Sequence, residues 1–273
     1  MSPLATRDPL ADDTRLGQAP PGPARRDLLD LETLPTPELM RLLAGAAAFR
    51  RVLATPLRKK PVLQGTAVAN VFFEPSTRTR VSFEWAAKRV GADSVSFVSA
   101  GSSVGKGESL LDTVWTLESM GIDLVVVRHQ SAGVPLFLAR HLSARVINAG
   151  DGAHEHPTQG LLDARTLLDH WDSLAGRRIT IVGDVAHSRV ARSAMWAFTK
   201  LGAHVTLCGP TALLPADASA LGWMRPANGA CIASPNPAGA KAGCAGGSQD
   251  DDAAPVPDVA KPRAKVSKVC WPP

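Results

Sequence analysis

The chain has 273 residues, of which 45% are hydrophobic, so it can bury one large or two ordinary cores. The net charge is +5, but the basic residues are scattered and aromatic residues make up only 5%, which gives little support to a nucleic-acid-binding protein. No apolar run approaches the roughly 18 residues of a membrane span, and the N-terminus lacks a signal-peptide pattern, so we expect a cytoplasmic protein.

The N-terminal part of the chain changes character near Asp27. Residues 1–26 are rich in Pro, Ala, Asp and Arg without periodicity, which predicts a mobile N-terminal extension. From Pro35 to Arg51 apolar residues recur at helical spacing and predict an amphipathic helix. Ordered structure is therefore expected to begin at about Asp27.

The most informative stretch runs from an apolar strand, Ala67–Phe73, through a proline turn into a helix. That helix opens on five polar residues, Ser76, Thr77, Arg78, Thr79 and Arg80. The first turn of a helix has free backbone N–H groups and a partial positive charge, and both favour a bound anion. The hydroxyl side chains can cap the helix, and the arginines can grip a phosphate. A capped surface helix with solvated arginines is the structural alternative, but α/β proteins bind ligands at the ends of buried strands.

Strands and helices continue to alternate after this helix, which is predicted over Thr77–Val90. The helix is expected to bury its apolar residues, Val81, Phe83, Trp85, Ala86 and Val90. Further strands are predicted at residues 94–98, 123–128 and 145–148, and further helices before residue 120 and at residues 157–170. This alternation predicts a parallel, doubly wound sheet. Arg78, Arg128 and His156 each follow a predicted strand, on the carboxyl edge where such sheets bind ligands.

A second unit is predicted to start at Gly176–Asp184 with a strand, followed by a helix at residues 188–201 and a strand at His204–Cys208. The motif Gly-x-Gly-x-x-Gly is missing after the first of these strands, so a dinucleotide site has weak support. From Trp223 to Pro273, 24 of 51 residues are Ala, Gly or Pro, and neither Leu nor Phe occurs. We interpret this tail as a frameshifted or mistranslated end, with a natural disordered tail as the alternative.

The four cysteines, Cys208, Cys231, Cys244 and Cys270, form no Cys-x-x-Cys pair and have no histidine at zinc-finger spacing. Their spacing therefore indicates neither a zinc site nor a disulfide framework.

Five segments resemble the transcarbamoylases, the aspartate and ornithine carbamoyltransferase family. The Ser-Thr-Arg-Thr-Arg segment is similar to the carbamoyl-phosphate loop of that family, and Asn148–Gln159, which ends in His-Pro-Thr-Gln, is similar to its carbamoyl-gripping segment. Val-Val-Val-Arg128-His129 and Lys106-Gly-Glu match two further family segments. Gly183–Val190, which contains Arg189, resembles a segment that binds aspartate. The resemblance covers about residues 27–222.

The fold implied by this resemblance is α/β, with two doubly wound parallel-sheet domains joined by a bridging helix and the second domain incomplete. The implied division is an extension at 1–26, a carbamoyl-phosphate-binding domain at 27–165, a partial aspartate-binding domain at 166–222 and an aberrant, disordered tail at 223–273.

The resemblance also implies a role for each matching residue. The carbamoyl-phosphate ligands would be Ser76, Thr77, Arg78, Thr79, Arg128, His156 and Gln159. The catalytic residues would be Arg78, Lys106, Arg128 and His156, and aspartate would be bound by Lys106 and Arg189. Ser102 and Lys106 would lie on a loop that reaches the neighbouring subunit. Outside this context, a lone histidine at a helix start is more often a cap or core residue, and a loop of Ser, Gly and one Lys is usually only flexible.

The activity implied is transfer of the carbamoyl group of carbamoyl phosphate to the α-amine of L-aspartate, in pyrimidine synthesis, by direct attack without a metal or cofactor. The expected working unit is a homotrimer with shared sites, with regulatory or dihydroorotase-like chains as further partners. Two alternatives stay open. One is an inactive derived chain that only binds carbamoyl phosphate or associates with intact subunits; the other, less favoured, is an ornithine carbamoyltransferase.

Overall fold

The computed structural model of the protein describes residues 27–98, 109–216 and 231–233. The helices are α1 (Thr36–Leu53), α2 (Thr77–Val90), α3 (Leu110–Ser119), α4 (Val134–His141), α5 (Pro157–His170) and α6 (Arg189–Lys200). The strands are β1 (Ala67–Phe72), β2 (Asp93–Val98), β3 (Leu124–His129), β4 (Arg145–Asp151), β5 (Arg178–Val182), β6 (His204–Cys208) and β7 (Cys231–Ala233). No helix within these ranges is long and apolar enough to cross a membrane.

The first sheet has the order β2-β1-β3-β4, and all of its pairs are parallel. Side chains alternate between its two faces, as the pleat of a strand requires. Val71 and Val125 belong to a core that includes residues of α3 and α4, whereas Phe72 and Val126 belong to another that includes a residue of α2. Since both faces are covered, the central strands are almost wholly apolar. The predicted α/β fold with a parallel sheet is confirmed.

The second sheet has the order β5-β6-β7. The first pair is parallel, but β7 runs antiparallel to β6 and places Cys231 opposite Cys208. This corrects two expectations at once. Residues 231–233 form a strand with a buried Ile232 inside the predicted disordered tail, and the facing cysteines form a disulfide. The 23-residue separation of the two cysteines carries no sign of strand pairing, so spacing alone could not show the bond.

The bridging helix α5 follows β4 of the first sheet and packs against α6 of the second. The packing is closest at Gly160, where an added Cβ would lie 2.9 Å from the backbone oxygen of Ser193 and 2.7 Å from the side chain of Leu31. Leu31 shares a core with α1, α5 and the second sheet. The segment before α1 therefore packs against the core of the second sheet as well as hydrogen bonding to β4.

The apolar face of α2 differs from the prediction. Val81 is 37% exposed and Trp85 56% exposed, and Ala86 is exposed as well, whereas Ala87 is the buried residue of the helix. The basic ends of Lys88 and Arg89 lie over the indole ring of Trp85. Apolar residues predict burial, but they do not say whether the covering surface is the chain's own sheet or another molecule.

Candidate active site

The centre of the candidate site is Arg128, near the carboxyl end of β3. Its side chain is only 9% exposed. Its Nη1 donates to the backbone oxygen of Ala149 at 3.1 Å, and its Nη2 donates to a carboxylate oxygen of Glu74 at 2.5 Å. The Nε atom has no partner in the described part of the chain. The neighbouring strands β1 and β3 thus bring a cation and an anion together where the sheet ends.

Glu74 follows β1 and binds a second arginine. Arg189, the first residue of α6, donates from Nη1 to the other carboxylate oxygen at 2.8 Å, and from Nη2 to the oxygen that Arg128 also binds. Burial pushes the pKa of Glu74 up, but the hydrogen bonds and charges of the two arginines outweigh it, so the pKa is lowered overall. The carboxylate of Glu74 therefore joins the edge of the first sheet to the helix that follows β5.

Gly150 allows the two arginines to converge. Its φ is +115°, a backbone conformation that favours glycine. A Cβ at this position would lie 2.8 Å from Nη1 of Arg128 and 3.3 Å from Nε of Arg189. Both guanidinium groups therefore lie directly over the backbone of β4. With burial as the larger cause, the charge of Arg189 also lowers the pKa of Arg128.

The predicted anion seat lies at the start of α2, two residues after Glu74. Ser76 is the extended residue before the helix, as expected, but its hydroxyl donates to Oγ1 of Thr79 at 2.9 Å and does not cap a backbone N–H. This corrects the expected side-chain cap. Thr77 and Arg78 are exposed in the first turn. A helix start that its own side chains leave uncapped keeps N–H groups available for an anion.

His156 immediately precedes α5 and is 7% exposed. Its backbone N–H donates to Oγ of Ser193 at 2.8 Å, and its Nδ1 lies 3.3 Å from the hydroxyl of Thr158. Burial, followed by the charges of Arg128 and Arg189, lowers the pKa of His156 to about 4. At neutral pH the imidazole is uncharged, so it can donate one N–H without adding a third positive charge.

This depressed pKa predicts a stability change with pH. Unfolded histidine binds a proton near pH 6.5, whereas His156 in the fold does so only near pH 4, so folding becomes less favourable as pH falls between these values. We expect His156 to remove about 3 kcal/mol of the free energy of unfolding between pH 7 and pH 4. Denaturant unfolding of the wild type and of His156→Asn at several pH values in this range measures the difference. If the free energy of unfolding changed equally with pH in the two proteins, the prediction would be contradicted.

Gln159 lies in the first turn of α5, and its amide nitrogen donates to Asp163 at 2.9 Å. Burial raises the pKa of Asp163, and the hydrogen bond from Gln159 opposes that rise. Because an ionised carboxylate only accepts hydrogen bonds, Asp163 must hold the nitrogen of Gln159, which leaves the amide oxygen for another donor.

The structure brings three of the predicted site residues together, because the charge of Arg189 lowers the pKa of Arg128, and the charges of both arginines lower the pKa of His156.

Ser102 and Lys106 lie outside the described residues. Sequence reasoning missed Glu74 and Glu155 as site residues. Glu74 is an acidic residue between a buried strand and the arginine-rich helix start, and Glu155 lies between two histidines. Their positions next to predicted site residues were the signal that could have identified them.

One group of described residues has metal-ligand chemistry. Single ligand atoms of Glu32, His154 and Glu155 lie within 4.8 Å of one another. Both carboxylate oxygens of Glu155, however, already accept hydrogen bonds from the protein, so this group has little capacity left for a cation.

A parallel sheet with the buried Arg128 at its carboxyl edge and an uncapped helix start beside it is the arrangement at which α/β proteins bind small anionic ligands. Residues 26–169 match the family described as aspartate/ornithine carbamoyltransferase, carbamoyl-P binding domain, and the chain belongs to this family.

Among curated relatives, the chain is similar to two aspartate carbamoyltransferase catalytic subunits. It is 54% identical over 194 residues to the one from Gemmatimonas aurantiaca, covering 71% of this chain and 61% of the relative. It is 55% identical over 191 residues to the one from Opitutus terrae, covering 70% and 61%. The chain thus spans about three fifths of the length of these relatives.

Solved structures give the same family. The catalytic subunit of M. jannaschii aspartate transcarbamoylase has a TM-score of 0.64 and 36% identity, with 71% of this chain and 64% of that chain covered. An aspartate transcarbamoylase from Trypanosoma cruzi, in complex with aspartate and phosphate, has a TM-score of 0.66 and 31% identity, with 71% and 64% covered.

Proposed function

We propose that the chain binds carbamoyl phosphate at the carboxyl edge of the first sheet and transfers its carbamoyl group to L-aspartate. The observation that carries this proposal is the convergence of Arg128 and Arg189 over Gly150, with the neutral His156 within reach of their charges. A small dianion with a polarised carbonyl group suits the guanidinium group of Arg128 and one neutral N–H donor, and the adjacent Arg189 suits a carboxylate of a second substrate. The catalytic-subunit relatives from G. aurantiaca and O. terrae support the assignment.

In this proposal the phosphate lies at the start of α2, bound by Ser76, Thr77, Arg78 and Thr79. Arg128 reaches both the phosphate and the carbonyl oxygen, and His156 donates its N–H to that oxygen. The amide oxygen of Gln159, whose amide nitrogen donates to Asp163, accepts from the carbamoyl nitrogen. These donors are fixed before the reaction, so they stabilise negative charge as it develops on the carbonyl oxygen.

The reaction we propose is direct attack of the uncharged α-amine of aspartate on the carbonyl carbon. A C–N bond forms, the bond from carbon to the phosphate oxygen breaks, and the leaving phosphate takes the electron pair and the amine proton. The products are N-carbamoyl-L-aspartate and phosphate. Arg189 and Lys106 would bind the carboxylates of aspartate, and catalysis would come from positioning and oxyanion stabilisation.

The proposed division of labour assigns carbamoyl phosphate to residues 27–165 and aspartate to residues 166–222. A second candidate function follows from the extent of the family resemblance, which covers about residues 27–222 although the chain continues to residue 273. In that case it would be an inactive family member that binds carbamoyl phosphate or associates with intact subunits. An ornithine carbamoyltransferase has less support, because its substrate carries a second amine that two arginines would repel.

We further propose a homotrimer whose neighbours supply Ser102 and Lys106, with regulatory or dihydroorotase-like chains as additional partners. The exposed Val81 and Trp85 support a protein contact, because α2 presents both on one face that residues 27–98, 109–216 and 231–233 leave exposed. We place the protein in the cytoplasm, where the disulfide between Cys208 and Cys231 would be exposed to reducing conditions.

The test is calorimetric binding of carbamoyl phosphate to the purified chain, followed by an assay for carbamoyl-aspartate with Lys106→Ala as the control. Binding together with activity that Lys106→Ala abolishes would support the full proposal. Binding without activity would support the second candidate function. The absence of both would contradict the proposed function and the binding form of the second candidate, and would leave only association with intact subunits.

A further inference from the structure

Glu155 carries a fully buried carboxylate that the proposed reaction does not use. One of its oxygens accepts from the backbone N–H of Leu31 at 2.9 Å and from Oγ of Ser193 at 2.8 Å. The other accepts from the backbone N–H of Glu32 at 3.0 Å. The carboxylate therefore joins the turn before α5 to the segment before α1 and to α6.

Ser193 extends this connection to the site. Its hydroxyl donates to Glu155 and accepts from the backbone N–H of His156 at 2.8 Å, and Ser193 is itself fully buried. Ser193 also lies four residues after Arg189 on α6, so the two residues share one side of that helix. A single hydroxyl thus links the backbone of one site residue to the helix that carries another.

The residues around this hydroxyl are closely packed. Gly160 allows α5 to approach both Leu31 and the backbone of Ser193, where a Cβ would be too close to each. Directly beside this contact on the same N-terminal segment, the ammonium group of Lys200 donates to the backbone oxygens of Glu32 and Leu34, at 2.6 Å and 2.5 Å. Segment 27–35 is therefore attached to α6 at two points, of which only one is connected to His156.

We infer that Glu155 is a positioning residue, which sets the place of His156 relative to Arg189 through the hydroxyl of Ser193. A carboxylate fits this role because it accepts from all three donors and offers none. Glutamine has nearly the same shape, but its NH₂ group would face an N–H or O–H donor and would displace at least one of the three partners. The expected loss of carbamoyl phosphate affinity rests on the proposed function. The effect of Glu155 on the position of His156 does not.

The experiment compares the wild type with Glu155→Gln and Ser193→Ala, and uses Lys200→Met as the control. The His156 ring signal, identified by its loss in His156→Asn, is followed by NMR from pH 5.5 to pH 8. In the wild type it should not titrate, because its pKa is about 4. In both test variants the pKa should rise toward 6.5, and carbamoyl phosphate affinity should fall roughly tenfold. Lys200→Met loosens the same segment and should leave the His156 signal unchanged.

The outcomes separate the two proposals. If His156 stays untitrated in Glu155→Gln, the inference is overturned, and if that variant fails to fold, Ser193→Ala decides in the same way. A His156 signal that moves equally in Lys200→Met also overturns it, because general loosening would then explain the effect. If the wild type does not bind carbamoyl phosphate, the proposed function fails, while the NMR comparison still decides the role of Glu155.

Discussion

The Arg128→Ala variant should lose carbamoyl phosphate affinity by at least roughly thirtyfold, because truncating a buried group that binds an anion costs about 2–5 kcal/mol. Arg128 is 9% exposed, and its guanidinium group already bonds Glu74 and the backbone at Ala149. These bonds fix its direction before any ligand arrives, so little entropy is lost on binding. Alanine removes both the charge and the fixed donors.

Calorimetry measures this loss directly, and two further variants show its cause. Arg128→Lys keeps the charge but has a single ammonium group, which cannot reproduce the separate bonds of Nη1 and Nη2, so we expect it to recover only part of the affinity. Arg165→Ala removes an arginine of the helix α5 that pairs with Asp169 at 2.8 Å on the surface. This control should bind as the wild type does. Less than a threefold loss for Arg128→Ala would refute the proposed position of the ligand.

The Glu74→Gln variant should lower the free energy of unfolding by about 2–3 kcal/mol, since it removes charged hydrogen bonds from two arginines. It leaves Arg128 and Arg189 facing each other across Gly150 without the carboxylate between them. Inorganic phosphate should then stabilise the variant more than the wild type, because an added anion takes over the neutralising role. Thermal unfolding with and without phosphate measures both effects.

The pH dependence provides a second check on Glu74. Its pKa is lowered in the fold, because the hydrogen bonds and charges of the two arginines outweigh burial, so its contribution to stability is present above the ordinary glutamate pKa. That contribution is lost as pH falls through the folded pKa, and Glu74→Gln should lack this part of the acid destabilisation. Glu38→Gln removes a carboxylate from an exposed i,i+3 pair with Arg41 and should change stability by less than about 1 kcal/mol. Equal effects of the two variants would contradict a special role for Glu74.

Local sequence determined the framework of the site. The apolar run before Glu74, the polar helix start at Ser76 and the glycine-rich turn before His156 each fix a strand end or a helix start within a few residues. Because parallel strands end at one edge of a sheet, placing Arg128 at the end of β3 was sufficient to predict that it lies beside the end of β1. The order of elements through β6 follows from the same periodicity, except for α4, which the sequence analysis did not predict.

Contacts between distant segments were decided only by the tertiary structure. Glu74 meets Arg189 across 115 residues, and Glu155 meets the backbone of Leu31 across 124 residues. The bond between Cys208 and Cys231 likewise depends on an antiparallel strand, β7, which no hydrophobic periodicity in the sequence predicts. Side-chain type and spacing predict the local secondary structure, whereas the partner of a buried charge depends on which elements pack together. The sequence by itself therefore determined which residues stand at the sheet edge, and the packing of α5 against α6 decided which of them act on one another.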